Sequence, residues 1–379
     1  MTLKLASLAG VLVLTVSMST AAAGAEKGAE RPDEAPYAVM VGDAAPPLSV
    51  SRWFKRGPSD SVRPGQPYVV EFWATWCLPC IANVPHLTEL QERYKDKATI
   101  VGIAVWEPDP AKTESFITRQ GEKMKYLVGL DEVPPAPAGD TNARMWAYEQ
   151  GRMSRAWLAD SGQDTIPVAF IVNAEGRIAW IGNPRQMDGP LAQIVEGRWD
   201  LDTFAADYRR DMSAQAKAAP IVKRLNEARK AKDAAGALAA ADELIGLGPT
   251  MATHAGDKFD VLLTDFNDVP RAYAFAREAI SGAARDNHRA LNGIAAVILR
   301  QPAGARRDLD VALAAVRRSE EVTKGKHSRT LNFLAEVHAA RGEYAQAVAV
   351  QRRAVEAAYP EEKPLFEQTL AAYERKNRP

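Results

Sequence analysis

The residues with the clearest chemical potential are Cys77 and Cys80, the only cysteines among the 379 residues of the chain. They follow an apolar, β-prone run at residues 69–76, and a helical pattern begins directly after them. Free N–H groups and the positive end of a helix dipole stabilise a thiolate at such a junction. We therefore predict that Cys77 attacks a disulfide as a thiolate. Cys80, one helical turn later, then attacks the mixed disulfide and expels the substrate thiol.

Metal binding is the first alternative, because the same cysteine spacing occurs in metal sites. A structural zinc site needs four ligands, and the chain has no second cysteine pair. Its five histidines are scattered: His86, His254, His288, His327 and His338. The sequence therefore favours a redox pair, with no metal and no other cofactor.

Hydrophobic patterns place the cysteine pair in an α/β fold. A near-continuous apolar run predicts a strand at 67–73, buried on both faces as in the centre of a parallel sheet. A helix follows at 78–94, and Pro85 inside it is expected to kink it. Other patterns predict strands at 49–54, 98–106, 124–130, 168–172 and 177–182, and helices at 109–120, 142–158 and 189–196. This order indicates a mixed central sheet flanked by helices over residues 42–198.

A resemblance to the thioredoxin superfamily is carried by Phe72-Trp73-Ala74-Thr75-Trp76-Cys77-Leu78-Pro79-Cys80. Because Pro85-His86-Leu87 follows the second cysteine, the closer resemblance is to the exported TlpA/ResA-like branch. Thr165-Ile166-Pro167 precedes a hairpin strand, where that fold places a cis-proline. The resemblance covers roughly residues 41–198 and implies a thioredoxin fold for them.

The resemblance also implies roles for single residues. Cys77 matches the attacking cysteine and Cys80 the resolving one, so the two form the redox disulfide. Pro167 matches the cis-proline beside the disulfide, and Ile166 would offer its backbone groups to an extended substrate chain. Trp76 is expected to flank the disulfide and to contact the substrate.

Glu71 stands where thioredoxin carries a buried aspartate. A buried carboxylate has a raised pKa, and it can move a proton to or from Cys80. The plainer interpretation is a solvent-facing residue on a strand. The apolar neighbours on both sides favour burial: Val69, Val70, Phe72 and Trp73.

The resemblance implies an exported thiol–disulfide oxidoreductase. Leu78-Pro79 separates the cysteines, and no histidine stabilises the thiolate there, so a reducing couple is favoured. The implied substrates are protein disulfides, such as those of apocytochrome c in cytochrome c biogenesis, and the implied electron donor is membrane-bound.

Two functions of other classes stay open. In one, the chain is a binding or scaffold protein, its helical part does the work, and the thioredoxin-like domain only docks. In the other, it is a thiol peroxidase of the redoxin type. The peroxidase context P-x-x-x-[ST]-x-x-C is not matched, because Thr75 is misplaced and the proline is absent.

The N-terminus predicts export. Residues 1–25 combine Lys4, a short apolar stretch at 5–18, and small residues that fit cleavage near residue 23 or 25. This pattern is typical of a secretory signal peptide, with a retained membrane anchor as the alternative. The predicted location is the periplasm of a Gram-negative bacterium. Residues 26–41, rich in charged residues and proline, are expected to form a flexible lead-in.

The composition and the C-terminal half complete the prediction. The net charge is zero, which gives no electrostatic reason to expect nucleic acid or an anionic membrane as a partner. Over residues 199–379 the pattern is helical, and alanine-rich triplets recur at 237–239, 272–274, 312–314 and 347–349. A period near 34 residues indicates tetratricopeptide-like repeats, with an irregular helical bundle as the alternative. Such an array presents a concave surface to a protein partner.

Overall fold

The computed structural model of the chain describes residues 36–54, 62–135, 139, 142–302, 304, 306–360 and 362–378. The predicted signal peptide and the first part of the predicted lead-in lie outside the described residues. In the part that is described, a mixed sheet with covering helices is followed by a long succession of helices. None of the helices among these residues is both long and apolar enough to cross a membrane.

The sheet has six strands: β1 Val50–Trp53, β2 Tyr68–Trp73, β3 Thr99–Ala104, β4 Leu127–Asp131, β5 Val168–Val172 and β6 Ile178–Gly182. Their order across the sheet is β1-β4-β3-β2-β5-β6. The pairs β2–β3 and β3–β4 are parallel, whereas β1, β5 and β6 pair antiparallel with their neighbours. The predicted mixed sheet is confirmed, and each predicted strand corresponds to one of these six.

The central strands are apolar because both faces of the sheet are covered. Successive side chains of a strand point to opposite faces. Val69 and Trp73 of β2 pack on the side that holds the helix after the cysteines. Val70 and Phe72 pack on the other side, against Trp157 and its neighbours. This double burial explains why β2 is an apolar run that only Glu71 interrupts.

Four α-helices belong to the sheet domain: α1 Leu78–Tyr94, α2 Pro110–Gln120, α3 Ala143–Gln150 and α4 Asp188–Val195. The prediction of one helix over 142–158 is wrong, because α3 ends at Gln150 and the next residue, Gly151, leaves the helical conformation with ψ of 131°. A separate helical segment of π type then covers Ser154–Leu158. The Asp131 carboxylate accepts the backbone N–H groups of Met153 and Ser154 at 2.7 and 3.1 Å, which stabilises this second start.

The predicted flexible lead-in is wrong at its C-terminal end. Met40 and Val41 are fully buried, and Val41 packs in the core beneath the sheet. The Gly42 N–H donates to the carbonyl of Ile178 on β6, at 2.8 Å. The fold therefore begins before residue 42, and these two apolar residues were the signal for it.

The helices that follow have the following bounds: α5 Leu201–Lys230, α6 Ala234–Gly246, α7 Ala255–Asp260, α8 Val269–Ser281, α9 His288–Arg300, α10 Leu309–Val322, α11 Ser328–Ala340, α12 Tyr344–Ala357 and α13 Lys363–Lys376. The prediction of a helical C-terminal part is confirmed. The four alanine-rich triplets lie in α6, α8, α10 and α12, which are alternate helices of this part. Assignment of the helical part to the tetratricopeptide class stays a prediction.

Helix α5 belongs to two cores. Leu201 and Phe204, in its first two turns, pack against the sheet domain, and the Arg209 guanidinium bonds the Asp43 carboxylate at 2.5 Å. Further along the same helix, Ala218 and Leu225 pack in the core of the helical part. The sheet domain and the first helices of the array are therefore joined by a continuous helix.

Candidate active site

Cys77 and Cys80 form a disulfide at the start of α1. Strand β2 ends at Trp73, three residues turn the chain, and Cys77 is the N-cap residue of the helix. The Cys77 sulfur accepts the backbone N–H of Cys80 at 3.3 Å. In the reduced protein, the same N–H and the helix dipole would stabilise the Cys77 thiolate. Pro79 lies in the first turn, where a helix needs no N–H donor.

The second wall of the site comes from the loop before β5. The Sγ atom of Cys77 lies 3.8 Å from the carbonyl oxygen of Ile166. The peptide bond between Ile166 and Pro167 is cis, as the resemblance implies. The predicted pair at 166–167 is thus adjacent to the predicted attacking sulfur, although 89 residues separate them along the chain.

Glu71 is buried, with only 1% of its surface exposed. The interpretation of a solvent-facing strand residue is wrong. Glu71 lies two positions before Trp73 on β2, so it shares the face of the sheet whose core contains Trp73 and Cys80. Burial raises the pKa of this carboxyl to about 8, and its Oε1 has no hydrogen-bond partner among the described residues.

A glycine opposite Glu71 makes room for an aromatic ring. Gly102 of β3 pairs with Glu71, and a Cβ atom at position 102 would lie 2.9 Å from Cε2 of Tyr126. Burial, and next the charge of Glu71, raise the pKa of the Tyr126 hydroxyl well above its ordinary value. The buried carboxylate is therefore surrounded by the sheet and by a tyrosine that stays neutral.

Glu107 is a site residue that sequence reasoning missed, because it lies in the connection between β3 and α2 and belongs to no recognisable motif. Its buried carboxylate accepts the backbone N–H of Thr75 at 2.5 Å and the Thr75 hydroxyl at 2.8 Å. These bonds fix the turn that precedes Cys77. Glu107 follows β3 as Thr75 follows β2, and the ends of two parallel neighbours meet at one edge of the sheet.

Trp76 lies beside the disulfide and is 37% exposed. Its indole Nε1 donates to the carbonyl oxygen of Trp106 at 3.2 Å. The side chain is therefore anchored by this bond while part of its surface stays accessible. This is the placement expected for a residue that contacts a substrate.

The helix behind the cysteines has polar contacts of its own. The buried Oδ1 of Asn83, one turn after Cys80, accepts the Nε–H of Arg185 at 2.7 Å. His86 contacts the Asp188 carboxylate at 2.7 Å. Among the described residues, no group of three or more histidine, cysteine or acidic side chains is arranged to hold a metal ion.

Comparison with known sequences finds a thioredoxin that is similar to part of the redox domain. The thioredoxin of Alicyclobacillus acidocaldarius subsp. acidocaldarius is 32% identical over 78 residues, which cover 18% of this chain and 73% of that protein. The chain belongs to the thioredoxin superfamily. The profile of the Redoxin family matches residues 40–190, which include every candidate site residue.

Two longer relatives extend this thioredoxin-superfamily match. The thiol-disulfide oxidoreductase ResA of Bacillus anthracis is 33% identical over 136 residues, or 35% of this chain and 65% of ResA. Protein FixW of Rhizobium leguminosarum is 28% identical over 160 residues, or 42% of this chain and 67% of FixW. The chain thus spans about two thirds of the length of these relatives. Helices α5–α13 lie beyond the Redoxin match.

Proposed function

We propose that the chain is an exported thiol–disulfide oxidoreductase that reduces protein disulfides through Cys77 and Cys80. The observation that carries the proposal is the Cys77 sulfur at the N-terminus of α1, 3.3 Å from the Cys80 N–H and 3.8 Å from the Ile166 carbonyl. The relative ResA, whose name describes a thiol-disulfide oxidoreductase, supports the same reaction class.

The reaction proceeds by two exchanges. The Cys77 thiolate attacks one sulfur of the substrate disulfide, that bond breaks, and the other substrate sulfur leaves as a thiolate and takes a proton. The Cys80 thiol then loses its proton and attacks the Cys77 sulfur. The second substrate sulfur leaves, and two electrons have passed from the enzyme dithiol to the substrate.

Glu71 is the proposed acceptor of the Cys80 proton. A carboxyl whose pKa lies near 8 is partly ionised near neutral pH, so it can both take and return a proton. A carboxyl with its ordinary pKa would be a much weaker base. The shared face of the sheet supports a route from Cys80 to Glu71.

The partners follow from the chemistry. Each turnover leaves the enzyme oxidised, so an electron donor must restore the dithiol, and we propose a membrane-bound protein for this step. The apolar and small residues at 5–25 support export to the periplasm, where such donors face the enzyme. Substrates of the apocytochrome c kind, and other proteins with exposed disulfides, fit the same site.

The helical array is the proposed docking surface for a protein partner. The Arg185 guanidinium lies 4.0 Å from the centre of the Tyr359 ring, and its Nε bonds Asn83 of α1. Tyr359 follows α12, so this contact joins the far end of the array to the active-site helix. We propose that a partner bound at this end of the array is held close to α1.

Reduction of insulin by the mature protein, with dithiothreitol as the electron donor, tests the reaction. We expect the wild type to accelerate insulin precipitation and Cys77→Ser to fall to the uncatalysed rate, because the attacking sulfur is lost. Equal, negligible rates for both proteins would exclude the oxidoreductase function and leave the scaffold function as the alternative.

A second variant tests the assignment of the two cysteines. Cys80→Ser should accumulate mixed disulfides through Cys77, visible on non-reducing gels of envelope extracts, because nothing resolves them. The double variant with both cysteines replaced is the matched control for background adducts. Adducts that form in Cys77→Ser and not in Cys80→Ser would reverse the assigned roles.

A further inference from the structure

An open cleft of about 520 Å³ lies next to the disulfide. It is lined by Trp76, Trp106, Asn142, Met145, Tyr148, Asp164, Thr165 and Ile166. Two of these residues also form the surroundings of the attacking sulfur, since Trp76 precedes Cys77 and the Ile166 carbonyl is 3.8 Å from it. A group that becomes bonded to Cys77 therefore has its flanking residues at the mouth of this cleft.

The inner wall of the cleft is held by a buried polar network. The indole Nε1 of Trp106 donates to the Ser154 hydroxyl at 3.0 Å, and that hydroxyl donates to the Asp131 carboxylate, also at 3.0 Å. Trp106 adopts a left-handed backbone conformation with φ of 56°, which is rare for a bulky residue. Strained positions of this kind persist where the surroundings fix them, often at binding sites.

The outer wall is apolar and exposed. The rings of Trp106 and Tyr148 have centres 4.8 Å apart. Met145 and Tyr148 of α3 are 49% and 42% exposed, and Trp76, which lines the same cleft, is 37% exposed. With Leu78, these residues make up four of the seven exposed large apolar side chains in the described part of the chain. Such clustering marks an interaction site, whereas scattered exposure does not.

We propose that this cleft is a specificity subsite for a large apolar side chain of the substrate, located one or two residues from the reactive cysteine. The inference rests on the proposed function and names its substrate class: polypeptides with an aromatic or large aliphatic residue beside the cysteine. An extended chain advances about 3.3 Å per residue, so such a residue reaches the cleft when the cysteine reaches Cys77.

The polar groups of the cleft add a second criterion. Asp164 is the only acidic or basic residue among the described lining residues. Its carboxylate is on the exposed loop before Ile166. An acidic residue at the subsite would therefore lose apolar contact and meet a like charge, so acidic neighbours of the cysteine are disfavoured.

The experiment compares disulfide-linked peptides that differ only beside the cysteine: Phe, Ala or Asp, placed on either side. The full-length protein reduces them, and kcat/KM is measured for each. We expect the Phe peptide to exceed the Ala peptide about tenfold on one side, since burial of such a ring is worth at least ~1.4 kcal/mol. The Asp peptide should be the slowest.

Variants connect the preference to the cleft. Tyr148→Ala and, independently, Met145→Lys should lower the Phe-to-Ala ratio. Both residues are exposed, so these changes leave the core intact. Asp164→Asn should raise kcat/KM for the Asp peptide while the Phe-to-Ala ratio persists. Phe266→Ala, which removes an exposed aromatic side chain from the array, is the control and should keep the wild-type ratio.

The outcomes separate the subsite from the reaction. Equal rates for the Phe and Ala peptides in the wild type, or a ratio unchanged in both cleft variants, would overturn the subsite while the oxidoreductase stands. Failure to reduce any peptide would overturn the proposed function itself.

Discussion

At the scale of single residues, Glu71 is the group whose chemistry the fold changes most. Its carboxyl has no hydrogen-bond partner at Oε1 among the described residues, and burial alone raises its pKa to about 8. An ionised carboxylate is unfavourable at such a position, so a glutamate here lowers the stability of the fold. This loss of stability is consistent with a role in moving a proton, because a neutral side chain of the same shape would destabilise the fold less.

The raised pKa predicts how stability depends on pH. Between pH 4.5 and 8 the folded state keeps a proton that the unfolded chain releases. The contribution of Glu71 is therefore fully present below pH 4.5 and is lost as the pH rises to about 8. Glu71→Gln abolishes this loss. The stability of the oxidised wild type relative to Glu71→Gln should decrease with a slope of up to about 1.4 kcal/mol per pH unit.

Urea unfolding at several pH values between 4.5 and 8 measures this difference. Glu175→Gln, which changes an exposed glutamate in the turn between β5 and β6, is the matched control and should show no slope relative to the wild type. A flat difference for Glu71→Gln as well would mean that the carboxyl is ionised at no cost.

Some site residues were predictable from local sequence and others were not. Burial of Glu71 follows from its apolar neighbours on the same strand. Glu107 and Asp131 act through contacts with residues 32 and about 22 positions away, which only the pairing of strands and the return of the chain create. The signal available for both was their place at the carboxyl ends of neighbouring parallel strands.

At the scale of elements, the break after α3 shapes the cleft. The helical pattern at 142–158 is continuous in the sequence, but the buried Asp131 carboxylate supplies a new helix start at Met153 and Ser154. The same carboxylate holds Ser154, which in turn holds Trp106. Periodicity detects the apolar face of a helix and does not detect a capping group from another strand. For that reason the prediction joined two segments into one.

Gly151→Ala tests how closely this break is packed. A Cβ atom at position 151 would overlap Oδ2 of Asp131 and lie 2.9 Å from Oγ of Ser154. We expect a loss of about 1–3 kcal/mol in the free energy of unfolding, as for other overpacked sites. Gly189→Ala in α4, where nothing lies within 4 Å of the added atom, is the control and should be neutral or slightly stabilising. The midpoints of urea unfolding of both variants measure this difference. Equal stabilities of the Gly151→Ala and Gly189→Ala variants would show that the turn at Gly151 relaxes freely.

At the scale of the whole molecule, the redox domain and the array meet at a second place besides α5. Tyr359 stacks on Arg185, and Arg185 bonds Asn83 behind the cysteines. The sequence predicted the existence of the array but gave no indication of this contact, because Tyr359 and Arg185 are 174 positions apart. Patterns of period 3.6 reveal helices, whereas the placement of one helix pair on another domain depends on single side chains.

A double-mutant cycle measures that contact. Tyr359→Ala and Arg185→Ala should be less than additive, with a coupling free energy of about 0.5–1 kcal/mol, the usual size for an exposed cation–π pair. The control pairs Tyr359→Ala with Arg52→Ala, since Arg52 stacks on Phe54 instead. That cycle should be additive. Additivity in both cycles would mean that the far end of the array does not rest on the redox domain in solution.

The continuity of α5 restricts how this protein can be recombined. An array taken from another protein cannot simply be grafted after residue 198, because Leu201 and Phe204 pack against the core of the sheet domain. A functional chimera must carry the first two turns of α5 with the redox part. Its junction then falls inside a helix, so the angular phase of the new array is set by the number of residues inserted, at about 100° for each one.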